Sequence, residues 1–247
     1  MVSLPQNVVV ARPSVFTGRN GLVDRYFYFC MALLIAAIVA TGFSRTVNQN
    51  LLHPAIARPR ILWFHAGAFT GWVLFFIFQS TLVRTRNIKW HQFFGWFGAA
   101  LATVMVALGI TTSIVMGRFD AVQLHLPDPA FLSIPFLDML SFGVLLALAI
   151  AWRKKPDWHR PLLFMATCAL LDAPFGRFDF LFNNNLFYLA LDLVMLLGVA
   201  RDFLVNRRVH AVYRYALPIL VAAQGLAIYL WRGSPAWWLS VTHKILG

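Results

Sequence analysis

Seven times the sequence stays apolar for about twenty residues, at about 26–43, 61–82, 93–116, 131–152, 161–180, 186–203 and 214–231. A hydrocarbon layer offers backbone amides no partner, so a segment of that length must satisfy its own hydrogen bonds as a helix. None of the runs alternates with a period of two, which excludes a membrane β-barrel. The expectation is an all-α polytopic membrane protein: one bundle of seven transmembrane helices in a single domain covering 1–247, preceded by a short polar segment 1–25. That segment holds Pro5, Arg12, Pro13 and Arg19 but no continuous apolar core, so it does not read as a cleaved signal peptide and the first helix serves as its own insertion signal.

Composition supports this. Charged residues make up 12% of the chain and hydrophobic ones 60%, far from the roughly 25% charged content of soluble domains. The net charge of +12 lies scattered in short connections rather than on one face, so it reads as membrane orientation and argues against a nucleic-acid partner. Arg84, Arg86 and Lys89, then Arg153, Lys154, Lys155 and Arg160, then Arg207 and Arg208 fall in alternate connections. These loops and the N-terminus are expected in the cytoplasm, with the C-terminus outside and the chain in the plasma membrane. Arg45, Arg58 and Arg60, in the first outer connection, dissent from that count. Trp90, Trp152, Trp158 and Tyr213 mark one headgroup level; Trp63, Tyr229, Trp231, Trp237 and Trp238 mark the other. Gly67 and Gly71 form a GxxxG on the second run, and Gly95 and Gly98 a small-residue stripe on the third, both expected to be packing surfaces. Cys30 and Cys168 lie inside spans without metal-ligand spacing and read as small packing residues.

Two groups of polar residues carry the functional reading. In "KWHQFFGWFGAAL", "DWHRPLLFMATCAL" and "NRRVHAVYRYAL", a basic run and a histidine precede an apolar helix, placing His91, His159 and His210 at the starts of the third, fifth and seventh helices. Imidazoles at one depth suit a transition-metal site or the axial ligands of haem b, whereas interfacial anchoring of each helix accounts for the same pattern without a ligand. Gln79, on the second helix, is a candidate hydrogen-bond partner for His91.

The second group is deeper. His65, Asp138, Asp172, Arg177 and Asp192 interrupt apolar runs, and an ionised Asp near the bilayer centre costs about 2.5–3.5 kcal/mol, so these side chains are expected to face the bundle interior. His65 with Asp138, Asp172 and Asp192 offers a divalent-metal donor set or a proton relay. Arg177 is expected to neutralise one carboxylate, and Pro174 to kink the fifth helix. An Arg–Asp network fastening the helices is the purely structural reading.

The stretches "RTRNIKWHQFFGWFG" and "WRKKPDWHRPLLFMATCALLDAPFGR" resemble the basic–His–x–x–x–Gly and His–Arg…Arg signatures of uncharacterised bacterial multi-pass membrane families, domains of unknown function. "FHAGAFTGWVLFFIFQ" is similar to their His-to-Gln second helix. The likeness runs from about Trp63 to Arg177, departs at Gln92 and Pro161, and implies a helical membrane fold without a settled activity.

Other classes lack their residues. There is no nucleophile elbow, P-loop, HExxH or dinucleotide fingerprint. No HxxxH pair sits on the last span, as a seven-helix zinc hydrolase needs, and Lys244 lies beyond that span, where it cannot serve as a retinal lysine. Three readings remain: a haem- or metal-binding redox protein exchanging electrons with a quinone or another membrane subunit, a cation- or proton-coupled transporter, and a non-catalytic subunit or sensor.

Overall fold

The computed structural model describes residues 19–247; residues 1–18, most of the segment expected to be polar, lie outside the described residues. Those described are helical, with no strand among them. Ten α-helices follow in order: α1 (Arg19–Ser44), α2 (Ile61–Arg84), α3 (Ile88–Gln123), α4 (Ser133–Ala151), α5 (Pro156–Cys168), α6 (Asp172–Phe175), α7 (Asp179–Asn183), α8 (Phe187–Asn206), α9 (Ala211–Gly233) and α10 (Ala236–Leu246). Five helices are long and apolar enough to cross a membrane: α1 from Gly21, α2, α3, α4 with the 3₁₀ turn Pro129–Leu132 before it, and α9. This is the composition of a membrane protein.

The fifth expected span is interrupted. A 3₁₀ turn at Ala169–Leu171 separates α5 from α6. Pro174 cannot donate to the carbonyl of residue 170, so regular α-helix stops one turn before it. The sixth expected span is the unbroken α8, whose Asp192, Arg201 and Asp202 fall within 20 residues, a denser charge than in α1 or α3, where three charged residues are spread over 26 and 36 residues. Beyond the seventh run, α10 is an additional helix that apolar-run length did not reveal.

The segment containing α4 is the most enclosed of the five, with 39% of it buried against 11% for α2. It packs on α3, α5 and α9. Ser133 ties it to α9 by donating to the Ala227 carbonyl at 2.8 Å, in a buried position. Phe142, Phe164, Met165, Leu191, Met195 and Ala227 are fully enclosed around it. The opposite surfaces remain apolar and exposed, as at Leu74, Phe97, Leu140, Leu193 and Ile219, which is how helices facing lipid are composed.

Close approach depends on a few glycines. A Cβ at Gly42 would fall 2.5–2.8 Å from the backbone and Cβ of Pro174, so α1 lies directly against the broken helix only because Gly42 has no side chain. Gly98 similarly admits the ring of Phe75 from α2. Gly67, Gly71 and Gly95 behave differently: a Cβ at any of them would meet nothing within 4 Å, so the GxxxG of α2 is an open face rather than the intramolecular packing surface expected.

Several aromatic markers are also drawn inward. Trp231 donates to Asp128 at 2.8 Å and Trp238 to the Ala130 carbonyl at 3.0 Å, and Tyr213 is 2% exposed. Trp231 and Trp238 thus fasten neighbouring segments by hydrogen bonds, and Tyr213 packs within the core.

Candidate functional site

At the end of the bundle that carries the Arg84–Ile88 and Ala151–Pro156 connections, two of the repeated histidines come together. His91 lies in the first turn of α3 and His159 in the first turn of α5, which opens on Pro156, a residue suited to a helix start because its missing N–H would be unsatisfied there. Their ring centroids are 6.2 Å apart and the planes cross at 71°. Each Nδ1 is held: His159 by the Ala149 carbonyl at 2.8 Å, His91 by Oε1 of Gln79 at 2.6 Å. Ala149 lies in the last turn of α4, where carbonyls lack helical partners, and Gln79 is buried on α2.

A carbonyl oxygen only accepts, so each Nδ1 donates and each neutral ring keeps an unprotonated Nε2. This is the arrangement that orients metal-ligating histidines. With metal–nitrogen bonds of about 2.0–2.1 Å, two imidazoles on one ion have ring centres about 4.5–6.5 Å apart, depending on the angle at the metal.

His210 has another role. It is the N-cap of α9, its Nδ1 accepting from the Val212 amide at 3.2 Å, while Nε2 faces Asp157 at 3.7 Å and the ring meets Trp158 edge-on. Its protonated nitrogen is therefore the opposite one: Nδ1 caps α9 and Nε2 faces a carboxylate.

Beside this pair lies a charged knot that sequence reasoning missed. Arg201 of α8 bonds Asp24 of α1, and at 2.6 Å its neighbour Asp202, which also accepts from the His210 amide at 3.1 Å. Asp202 is 3% exposed. Asp24, Arg201 and Asp202 sit near the ends of apolar runs and look like headgroup-level charges; only their convergence reveals the knot.

The deeper acids form a second centre. Asp138 of α4 and Asp172, the first residue of α6, are close enough for their carboxyl groups to interact, and Oδ2 of Asp138 has no hydrogen-bond partner among the described residues. Tyr188 of α8 donates to Oδ1 of Asp138 at 2.8 Å, and both residues are buried. One turn along α8, Asp192 accepts from Nε2 of Gln224 on α9 at 3.0 Å. The break before α6 is what lets Asp172 open a new helical turn facing α4.

Neither His65 nor Arg177 makes a hydrogen bond or ion pair to these acids among the described residues. His65 stacks on Phe69 at 4.1 Å, its Nδ1 without a hydrogen-bond partner among the described residues. Arg177 donates to Thr46 at 3.1 Å and to the Ala173 carbonyl, with its guanidinium 3.9 Å from the centre of the Phe43 ring. It forms no ion pair among the described residues, in place of the expected neutralisation of a carboxylate. Nor do three or more His, Cys, Asp or Glu side chains assemble as a metal-ligand set among the described residues. The mixed set of His65, Asp138, Asp172 and Asp192 is thus divided: Asp138 neighbours Asp172 and is held by Tyr188, Gln224 holds Asp192, and His65 stacks on its own helix.

At the far end of the bundle, Arg58 bonds Asp120 at 3.3 Å and Asn50 at 3.1 Å, and lies over Phe119. Its charge is matched within the protein.

Comparison of the chain with family profiles, with curated proteins and with solved structures gives no match. The resemblance between residues 63–177 and the uncharacterised membrane families therefore stands on the quoted motifs alone.

Proposed function

We propose that the chain is a seven-span protein of the plasma membrane whose His91–His159 pair binds a transition metal, as haem b or as a bare ion, for electron transfer with a quinone or a partner subunit. The observation that carries the reading is the geometry of the pair: two imidazoles with tethered Nδ1 atoms, unprotonated Nε2 atoms and centroids 6.2 Å apart. Purified in mild detergent, the protein is expected to show a Soret band or, without one, a stoichiometric metal in elemental analysis. His91→Ala and His159→Ala should each remove the signal. Absence of both signals in the parent protein overturns the reading.

Seven crossings are supported by the twenty-residue run from Pro156 to Phe175 and by the twenty residues of α8, each about 30 Å at 1.5 Å per residue. An orientation with the basic connections in the cytoplasm is supported by their charge, and the Arg58–Asp120 pair removes part of the outer dissent.

A second reading, proton- or cation-coupled transport, is favoured by one observation: a carboxyl pair at the break of a helix, where membrane proteins place irregular backbone lining a pathway. In proteoliposomes containing a pH-sensitive dye, proton uptake lost in both Asp138→Asn and Asp172→Asn would establish it. Uptake unaffected by these substitutions would exclude it.

A further inference from the structure

The exposed surface between α2 and α3 is concave. A groove of about 650 Å³ is lined by Phe75 and Phe78 from α2 and by Phe93, Phe94, Trp96 and Phe97 from α3. That volume lies within the range of about 300–1,000 Å³ typical of small-molecule sites. Its floor depends on Gly98, which allows the Phe75 ring to lie against α3, and edge-to-face contacts of Phe75 with Phe97 at 5.6 Å and of Phe78 with Phe94 at 5.2 Å hold the wall. Phe93, Trp96 and Phe97 are each at least 60% exposed, so the protein itself does not cover the groove.

Six aromatic side chains offer scarcely any hydrogen bond, which suits hydrocarbon and disfavours a quinone headgroup with two carbonyls to satisfy. The rim has a different chemistry. The guanidinium of Arg153, in the α4–α5 connection, lies 5.4 Å from the centre of the Trp96 ring. Lys154 and Lys155 follow it in sequence, and Lys89 is in the first turn of α3. A hydrocarbon trough with a cation at one edge matches a molecule having an acyl chain and an anionic head.

We propose that this groove is a binding site for an anionic phospholipid, with an acyl chain against the aromatic wall and the phosphate at Arg153. Its location beside the basic connections places the headgroup at the level where a membrane's surface charge attracts Lys and Arg. A general lipid coat would wet every exposed face alike; this occupant is distinguished by concavity and by charge complementarity.

Native mass spectrometry of the full chain, released from detergent with equal amounts of phosphatidylglycerol and phosphatidylcholine of identical acyl chains, tests it. Phosphatidylglycerol is expected to be retained preferentially, and Arg153→Ala to lower that preference about fivefold, the effect of one basic residue at an anionic lipid surface. Arg153 is exposed, and its one bond is to Ile150 within the same helix end, so the variant tests binding without removing an interhelical contact. Phe97→Ala should reduce retention of both lipids. Equal retention by the parent protein, or preference unchanged in Arg153→Ala, overturns the proposal. So does a dimer that Phe97→Ala dissociates, because the groove is then covered by a second copy of the chain.

Discussion

Tyr188 donates its single proton to Asp138, keeping one oxygen of an enclosed carboxyl satisfied. Tyr188→Phe removes the donor and little volume, so thermal unfolding in detergent should show a loss of about 1–3 kcal/mol, the desolvation cost of an unpaired buried polar group. An unchanged melting temperature would mean that the Tyr188 bond contributes nothing to stability. Gln79→Leu addresses the other centre: with a metal bound, losing the acceptor behind His91 should weaken its affinity about 10–100-fold in chelator competition. Unaltered affinity would reduce the Gln79 bond to a link between α2 and α3. The sequence marks Asp138, Asp172 and Asp192 because charge in an apolar run is costly. It does not mark Tyr188 or Gln224, which carry little such cost and become legible only when α8 and α9 are placed beside α4. The histidines show the same limit, since repetition gives His91, His159 and His210 one appearance and local hydrogen bonding divides them into a facing pair and a helix cap.

Helix α1 meets the broken fifth segment at one point, Gly42 against Pro174. Gly42→Val inserts three carbons where even one would collide with backbone; the expected cost is about 1–3 kcal/mol by overpacking, seen as a lower unfolding temperature. At the other end of α1, the Arg201 knot joins it to α8 and the start of α9. Arg201→Met leaves Asp202 buried beside Asp24 without its cation and should cost about 3–5 kcal/mol, while Arg201→Met combined with Asp202→Leu should recover much of that loss. A double variant as unstable as the single one would show that the knot is not the source. Helix existence was readable because twenty apolar residues have one solution in hydrocarbon. The break at Ala169–Leu171 was foreshadowed by Pro174, whereas α10 was not, being an eleven-residue helix too short to register as a span.

The arrangement of the whole bundle is the least legible level, since apolar runs record what faces lipid and say little about which helices are neighbours. That α4 is enclosed by α3, α5 and α9 follows from contacts between separate segments, of which α9 lies far from α4 in the sequence. Orientation remains accessible to experiment. With Cys30 and Cys168 replaced by alanine, a single cysteine at Asn184 is expected to react with an impermeant maleimide in intact cells, and one at Lys154 only after permeabilisation. The reverse pattern would invert the proposed topology. The bond between Arg58 and Asp120 has a consequence for how the chain is made. The two residues are separated by 62 positions, by α2 and by nearly all of α3, so Arg58 emerges from the ribosome long before its partner exists. While unpaired, it adds positive charge to a segment that the proposed topology places on the far side; once α3 follows, the charge is matched. Commitment of the first connection to the far side is therefore expected to await α3, making α2 and α3 a hairpin that enters the bilayer as a unit. Nascent chains stalled after α2 should display mixed topology, and chains extended past Asp120 a single one.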